Sequence, residues 1–109
     1  MQVTQNLLQN NLSLKMNLTN IMASKKHEKE YLSRVAALGC IICGAEAEIH
    51  HLRTGMGLGM RNDYKNAIPL CPPHHRTGGY KVAYHAGRLA FESQFGTETE
   101  LLEKVRNLL

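Results

Sequence analysis

The sequence predicts a small α+β domain with helices at both ends and short strands between them. Two observations lead to this fold class. Apolar residues recur at helical spacing near residues 24–38 and again near the C-terminus. Residues 39–79, in contrast, hold too many Cys, His, Gly and Pro for a helical bundle. The length of 109 residues suits one domain, or one domain and a tail, and is too short for a two-domain enzyme.

The N-terminal segment differs in composition from the rest of the chain. Residues 1–21 are rich in Asn and Gln and carry one charged side chain, Lys15. This composition favours a flexible or loosely docked extension. A weak helical face through the leucines of the segment is the alternative. We therefore place the domain at residues 22–109.

The first predicted helix runs from Ser24 to Leu38. Ser24 can cap its N-terminus, and Gly39 can end it. An apolar stripe on this helix is expected to face the core, and it consists of Tyr31, Leu32, Val35 and Leu38.

Two strands and two further helices follow in the predicted order. The strands lie around Ala47–Leu52 and Ala67–Leu70, and the run Gly55–Gly59 forms part of their connection. A helix covers about Ala86–Gln94. The last helix follows Thr97, which has capping-box spacing to Glu100. It is expected to bury three side chains, namely Leu101, Val105 and Leu108.

The charge of the chain is moderately basic. Thirteen Lys and Arg face nine Asp and Glu, for a net charge of +4. Residues 1–88 carry 11 of the basic and 5 of the acidic side chains, so the positive charge accompanies the Cys- and His-rich region. Nucleic acid is a plausible partner, although charge of this size does not single it out. With no apolar stretch of about 18 residues and no secretory signal, we expect a cytoplasmic protein without a membrane partner.

Two short motifs present metal ligands in pairs. Cys40-x-x-Cys43 and Cys71-x-x-His74 have the same two-residue gap and are separated by 27 residues. Two tight turns that each offer two S or N ligands can surround one tetrahedral zinc ion, which would help to fold so short a chain. The sequence thus predicts a zinc-organised domain. Free thiols are the alternative, and His75 remains an alternative fourth ligand.

The chain has more histidines than a single zinc site needs. His50 and His51 are adjacent at the end of a predicted strand, where neighbouring side chains point to opposite faces. One of them can therefore bind a metal while the other faces a different partner, such as water or a phosphate. His75 and His85 are also left over.

These motifs together resemble the HNH (ββα-metal) nuclease motif. The resemblance covers about residues 40–76: the Cys-x-x-Cys turn, Ile49-His50-His51, and Asn66 nine residues before His75. It implies a ββα-metal fold with a structural zinc at Cys40, Cys43, Cys71 and His74, and an endonuclease that hydrolyses phosphodiester bonds in DNA.

The same resemblance implies roles for the remaining residues. His50 and His75 would hold a catalytic divalent cation (Mg²⁺, Mn²⁺ or Zn²⁺). His51 would be the general base, and Asn66 would orient it. In the family pattern a further helix histidine would fall at Gly79, so His85 is the candidate for the last metal ligand.

Beyond the motif, residues 30–105 are similar to the phage Ref family of RecA-dependent HNH nucleases. The likeness rests on Cys-x-x-His-His, on the later His85, and on the run from Phe91 to Thr97. It implies a phage or prophage protein linked to recombination, with RecA-coated single-stranded DNA as a partner.

A non-catalytic, zinc-stabilised nucleic-acid-binding module is the alternative function. Such a module needs only four metal ligands, so the surplus of histidines favours the nuclease. Either function can use basic side chains to bind phosphates without reading sequence, and the candidates are Arg53, Arg61, Lys65, Arg76 and Lys81.

Overall fold

The computed structural model describes residues 24–57 and 59–109. The predicted N-terminal extension, residues 1–21, lies outside the described residues. Contacts divide the chain into two units, Met1–Glu30 and Tyr31–Leu109. In the first unit, residues 24–30 are helical and mostly exposed, and Lys26 Nζ lies 4.0 Å from Glu30 Oε1 one turn later.

Residues 31–37 of the second unit are also helical, and the described helical residues 24–37 are named α1. Val35 is fully buried, and Tyr31 and Leu38 pack against the core, as the apolar stripe predicts. Gly39 ends the helix with a φ of +79°. A Cβ atom at Gly39 would lie 2.7 Å from the carbonyl oxygen of Gly44, so only glycine fits this close approach.

The two predicted strands pair in one antiparallel sheet. Strand β1 is Glu48–His51 and strand β2 is Ala67–Leu70. In the register of the two strands, His50 is paired with Ile68 and His51 is paired with Ala67. The strand alternation separates the two histidines as expected, because His50 is buried and His51 is half-buried.

Two short turns and two helices follow the sheet. A π-helical turn spans Pro73–Thr77, and a 3-10 turn spans Tyr84–Ala86. Helix α2 is Arg88–Phe95 and helix α3 is Glu98–Leu108. Helix α2 begins two residues later than the sequence predicts because residues 84–86 form the tighter turn.

The predicted capping box at the start of α3 is confirmed. The side chain of Thr97 accepts from the N–H of Glu100, and the Glu100 side chain accepts from the N–H of Thr97. The predicted burial of Leu108 is wrong, because this side chain is 61% exposed. The packed face of α3 ends at Val105, and Leu108 falls in the last turn beyond it.

The core of the second unit lies between residues 31–38, the sheet and the C-terminal helices, with α3 packed against β2. Two of its buried members are thiols, Cys40 and Cys71, so the predicted zinc site is part of the core. The predicted fold class, a small α+β domain, is confirmed. Among the described residues, no helix is long and apolar enough to cross a membrane.

Candidate metal centres

The first cluster of potential metal ligands contains three cysteines and one histidine. Its ligand atoms all lie within 4.8 Å of one another, and its members are Cys40, Cys43, Cys71 and His74 (the thiolate cluster). Cys43 Sγ lies 3.7 Å from Cys71 Sγ, and Cys40 Sγ lies 3.6 Å from His74 Nδ1. In a tetrahedron with Zn–S bonds of about 2.3 Å, two sulfur atoms are about 3.8 Å apart. The thiolate cluster could therefore bind a structural zinc.

Backbone hydrogen bonds hold the two halves of this cluster together. The N–H of Gly44 donates to the carbonyl of Cys40, closing the first turn. The N–H of Ile41 donates to the carbonyl of Pro69 and docks that turn on β2. Burial raises the pKa of Cys71 to about 11. For Cys40, burial acts in the same direction, but hydrogen bonds from backbone N–H groups outweigh it and lower its pKa.

The second cluster consists of three histidines from three elements: His50 of β1, His75 of the π-helical turn and His85 of the 3-10 turn (the histidine cluster). Each offers a ring nitrogen within 4.8 Å of the others. The Nε2 atoms of His75 and His85 lie 3.0 Å apart. Burial lowers the pKa of both His75 and His85, which favours the neutral rings that bind metals. The structure thus assigns His74 and His75, adjacent in sequence, to different clusters.

Two of these three histidine rings are each hydrogen-bonded to a carboxylate. Glu48 Oε1 accepts from His75 Nδ1 at 3.0 Å, and Glu98 Oε2 accepts from His50 Nε2 at 2.7 Å. Metal-binding histidines commonly donate their second ring nitrogen to a carboxylate in this way. The ring nitrogens that remain are Nε2 of His75, which faces His85, and Nδ1 of His50.

The two carboxylates differ in their surroundings. Glu48 is partly exposed and also accepts from Arg76 Nε at 2.8 Å. Glu98 is fully buried and also accepts from the backbone N–H groups of Arg53 and Thr54. Burial by itself would raise the pKa of Glu98, but hydrogen bonds from His50, from the backbone N–H of Arg53 and from the Thr54 hydroxyl outweigh burial and lower the pKa to about 2.

The predicted catalytic pair, His51 and Asn66, lies at one end of the sheet. His51 is the last residue of β1, and Asn66 directly precedes β2. The Asn66 side chain donates to Asn62 Oδ1 at 3.0 Å and accepts from Arg106 at 2.9 Å, while its carbonyl accepts from the N–H of Leu52. Asn66 is thus firmly held beside the sheet, and its action on His51 stays a prediction.

Comparison with known proteins identifies the family of the chain. A family model described as "Protein of unknown function (DUF968)" matches residues 16–108. The chain belongs to the DUF968 family. No curated protein matches it, and no solved structure matches it. The DUF968 match spans both metal-ligand clusters and all of α3.

The basic residues predicted to contact phosphate have different surroundings in this DUF968 chain. Arg53 donates to the carbonyls of Gly57 and Met60 and so braces the loop after β1. Arg76 pairs with Glu48. The other three candidates are exposed, and they are Arg61, Lys65 and Lys81.

The sequence did not reveal Glu48 and Glu98 as members of the site. Glu48 could have been found, because it lies two residues before His50 and side chains alternate along a strand. Glu98 has no comparable signal. It is the first residue of a helix, where an acidic side chain is usually explained by the helix dipole alone.

Proposed function

We propose that this DUF968 chain is a metal-dependent HNH endonuclease that hydrolyses phosphodiester bonds in DNA. One observation carries the proposal: the ring nitrogens of His50, His75 and His85 converge within 4.8 Å, apart from the thiolate cluster. A domain that needed metal only for folding would have no use for this second set. The type of reaction, hydrolysis of a phosphodiester bond, is inferred from the resemblance of residues 40–76 to the HNH motif.

The donor set fits a divalent cation. Imidazole nitrogens suit Zn²⁺ and similar transition metals, whereas Mg²⁺ prefers oxygen ligands. His50 is buried and His85 is exposed, so the cluster extends from the core to the surface where a substrate can approach. When bound, the cation would stabilise negative charge on the phosphate and on the leaving oxygen.

The protein's own side chains would supply the remaining steps. His51 takes a proton from the attacking water, a task for which imidazole is well suited near neutral pH. Asn66 restrains the orientation of His51. The exposed side chains of Arg61, Lys65 and Lys81 bind neighbouring phosphates, which predicts salt-sensitive binding with little sequence preference.

Cleavage of plasmid DNA tests the proposal. Zinc-loaded protein is incubated with supercoiled DNA, and Mn²⁺, Ni²⁺, Co²⁺, Zn²⁺ or Mg²⁺ is added. We expect nicking by the wild type and a rate lower by about 10²–10⁴-fold in His51→Ala, because the general base is lost. His27→Ala is the matched control, since His27 is exposed on α1 and belongs to neither cluster.

The substrate is varied in parallel. Single-stranded DNA, with and without a RecA filament, tests the partner implied by the Ref resemblance. If the wild type cuts none of these substrates with any of the cations, the nuclease proposal is wrong. Retention of DNA at low salt without cutting would instead support the non-catalytic binding module.

A further inference from the structure

A fully buried carboxylate, Glu98, reaches the histidine cluster from helix α3. Its Oε2 atom lies 2.7 Å from Nε2 of His50. A carboxylate accepts but does not donate, so this contact places the proton of the neutral ring on Nε2. We propose that Glu98 is a positioning residue, which fixes His50 as the Nε2–H tautomer and leaves Nδ1 as the metal-binding atom. The inference rests on the proposed function only in taking the histidine cluster as a cation site.

The hydrogen bonds of Glu98 define its position closely. Oε2 also accepts from the N–H of Arg53 at 2.7 Å, and Oε1 accepts from the N–H and the hydroxyl of Thr54 at 2.9 and 2.7 Å. Arg53 and Thr54 lie in the segment that directly follows β1. A buried carboxylate requires such compensation. The same contacts prevent the carboxylate from moving away from His50.

The ring of His50 is held on a second side by Tyr84. The two ring centroids lie 4.3 Å apart, and Tyr84 in turn contacts Phe91 with a centroid distance of 5.5 Å. His50 is only 1% exposed, so no water replaces these contacts. A rotation of the ring by 180° would break the 2.7 Å hydrogen bond to Glu98. Glu98 and Tyr84 therefore determine both the orientation of the ring and its tautomer.

The carboxylate behind His75 offers an internal comparison. Glu48 accepts from His75 Nδ1, but it is partly exposed and shared with Arg76. If the Glu48 carboxylate is lost, water can take its place as the hydrogen-bond acceptor of His75. Water cannot do the same for His50, because Glu98 is fully buried. We therefore expect loss of the Glu98 carboxylate to weaken cation binding more than loss of the Glu48 carboxylate.

A titration with Co²⁺ tests the effect on binding. Protein that already holds one zinc is titrated, and the visible absorption of Co²⁺ at the histidine cluster is followed. We expect Glu98→Gln to bind Co²⁺ about 10–100-fold more weakly than the wild type, and Glu48→Gln to be affected less. Glu103→Gln is the matched control, because it removes the same charge from an exposed position of the same helix. Retention of one zinc by each variant shows that the thiolate cluster is intact.

The tautomer of His50 is measured directly by ¹⁵N NMR of histidine-labelled wild-type protein. We expect a protonated Nε2 without added cation, and a metal shift on Nδ1 once Zn²⁺ is added. A metal shift on Nε2 would overturn the inference, and so would unchanged Co²⁺ affinity in Glu98→Gln. This measurement decides the matter even if Glu98→Gln does not fold.

The outcomes separate this inference from the proposed nuclease function. If the wild type binds Co²⁺ through Nδ1 of His50 and Glu98→Gln binds it weakly, but neither cuts DNA, the inference stands and the function is wrong. If both proteins bind Co²⁺ and cut DNA equally well, the function stands and the inference is wrong. If the wild type binds no cation beyond its zinc, both are wrong.

Discussion

Adjacent histidines in this domain have different surroundings. His50 lies in the core and His51 does not, because successive residues of a strand point to opposite faces. His74 and His75 share a π-helical turn but belong to different clusters. The first separation could be predicted from the sequence. The second is implied by the HNH resemblance, whereas the spacing of the residues alone leaves either His74 or His75 as the fourth ligand of the thiolate cluster.

At the level of single residues, Gly39 provides a test of local geometry. It has a φ of +79°, and an added Cβ would lie 2.7 Å from the carbonyl oxygen of Gly44, within the turn that carries Cys40 and Cys43. We expect Gly39→Ala to reduce the free energy of unfolding by about 2–3 kcal/mol, from the unfavourable φ and the steric clash together.

Gly55→Ala is the control for Gly39→Ala. Gly55 has a similar φ of +76°, but no atom lies within 4 Å of an added Cβ. We expect a loss of about 1 kcal/mol, from the backbone conformation alone. Urea unfolding of the zinc-loaded proteins measures both values, and equal losses would show that the contact with Gly44 is unimportant.

At the level of elements, the sequence predicts the regular elements better than the irregular turns. The two strands, the opposite faces of His50 and His51 and the capping box of Thr97 and Glu100 agree with the structure, whereas the predicted burial of Leu108 does not. The π-helical and 3-10 turns were not foreseen, because their hydrogen bonds have no simple sequence period. These two turns carry His75 and His85, so the sequence predicts both as candidate ligands but does not show how the two side chains come together.

The cap of α3 yields a prediction for an element. The Thr97 hydroxyl accepts from the N–H of Glu100 at 3.2 Å. Thr97→Ala removes this acceptor and should lower the free energy of unfolding by about 1 kcal/mol. Thr97→Ser keeps the hydroxyl and should change it much less. Thermal melts followed by circular dichroism measure the difference, and equal melting temperatures for the two variants would contradict the role of the cap.

At the level of the whole molecule, the candidate zinc site is part of the hydrophobic core. Cys40 and Cys71 are buried among the apolar side chains of a domain with few aromatic residues. A small core gains little stability from burial alone, so a metal bound at the thiolate cluster would contribute directly to folding. The cysteine and histidine spacing predicted this arrangement. The hydrogen bond between His50 and Glu98 of α3 could not be predicted, because these two residues are 48 positions apart in the sequence.

Metal removal should therefore affect the two clusters differently. We expect Cys71→Ser, or a strong chelator, to abolish the cooperative unfolding transition, since the thiolate cluster is part of the core. His85→Ala should keep the fold and one zinc per chain, because His85 is exposed and belongs only to the histidine cluster. Zinc content and circular dichroism provide the measurements. Unfolding of His85→Ala would show that the histidine cluster is structural.

A single peptide bond joins His74 of the thiolate cluster to His75 of the histidine cluster. Ions bound at the two clusters would for that reason not be independent of each other. An oxidant that attacked the three cysteines and so released a zinc ion would also free the turn that carries both rings, and it would disable the histidine cluster without reacting with an imidazole.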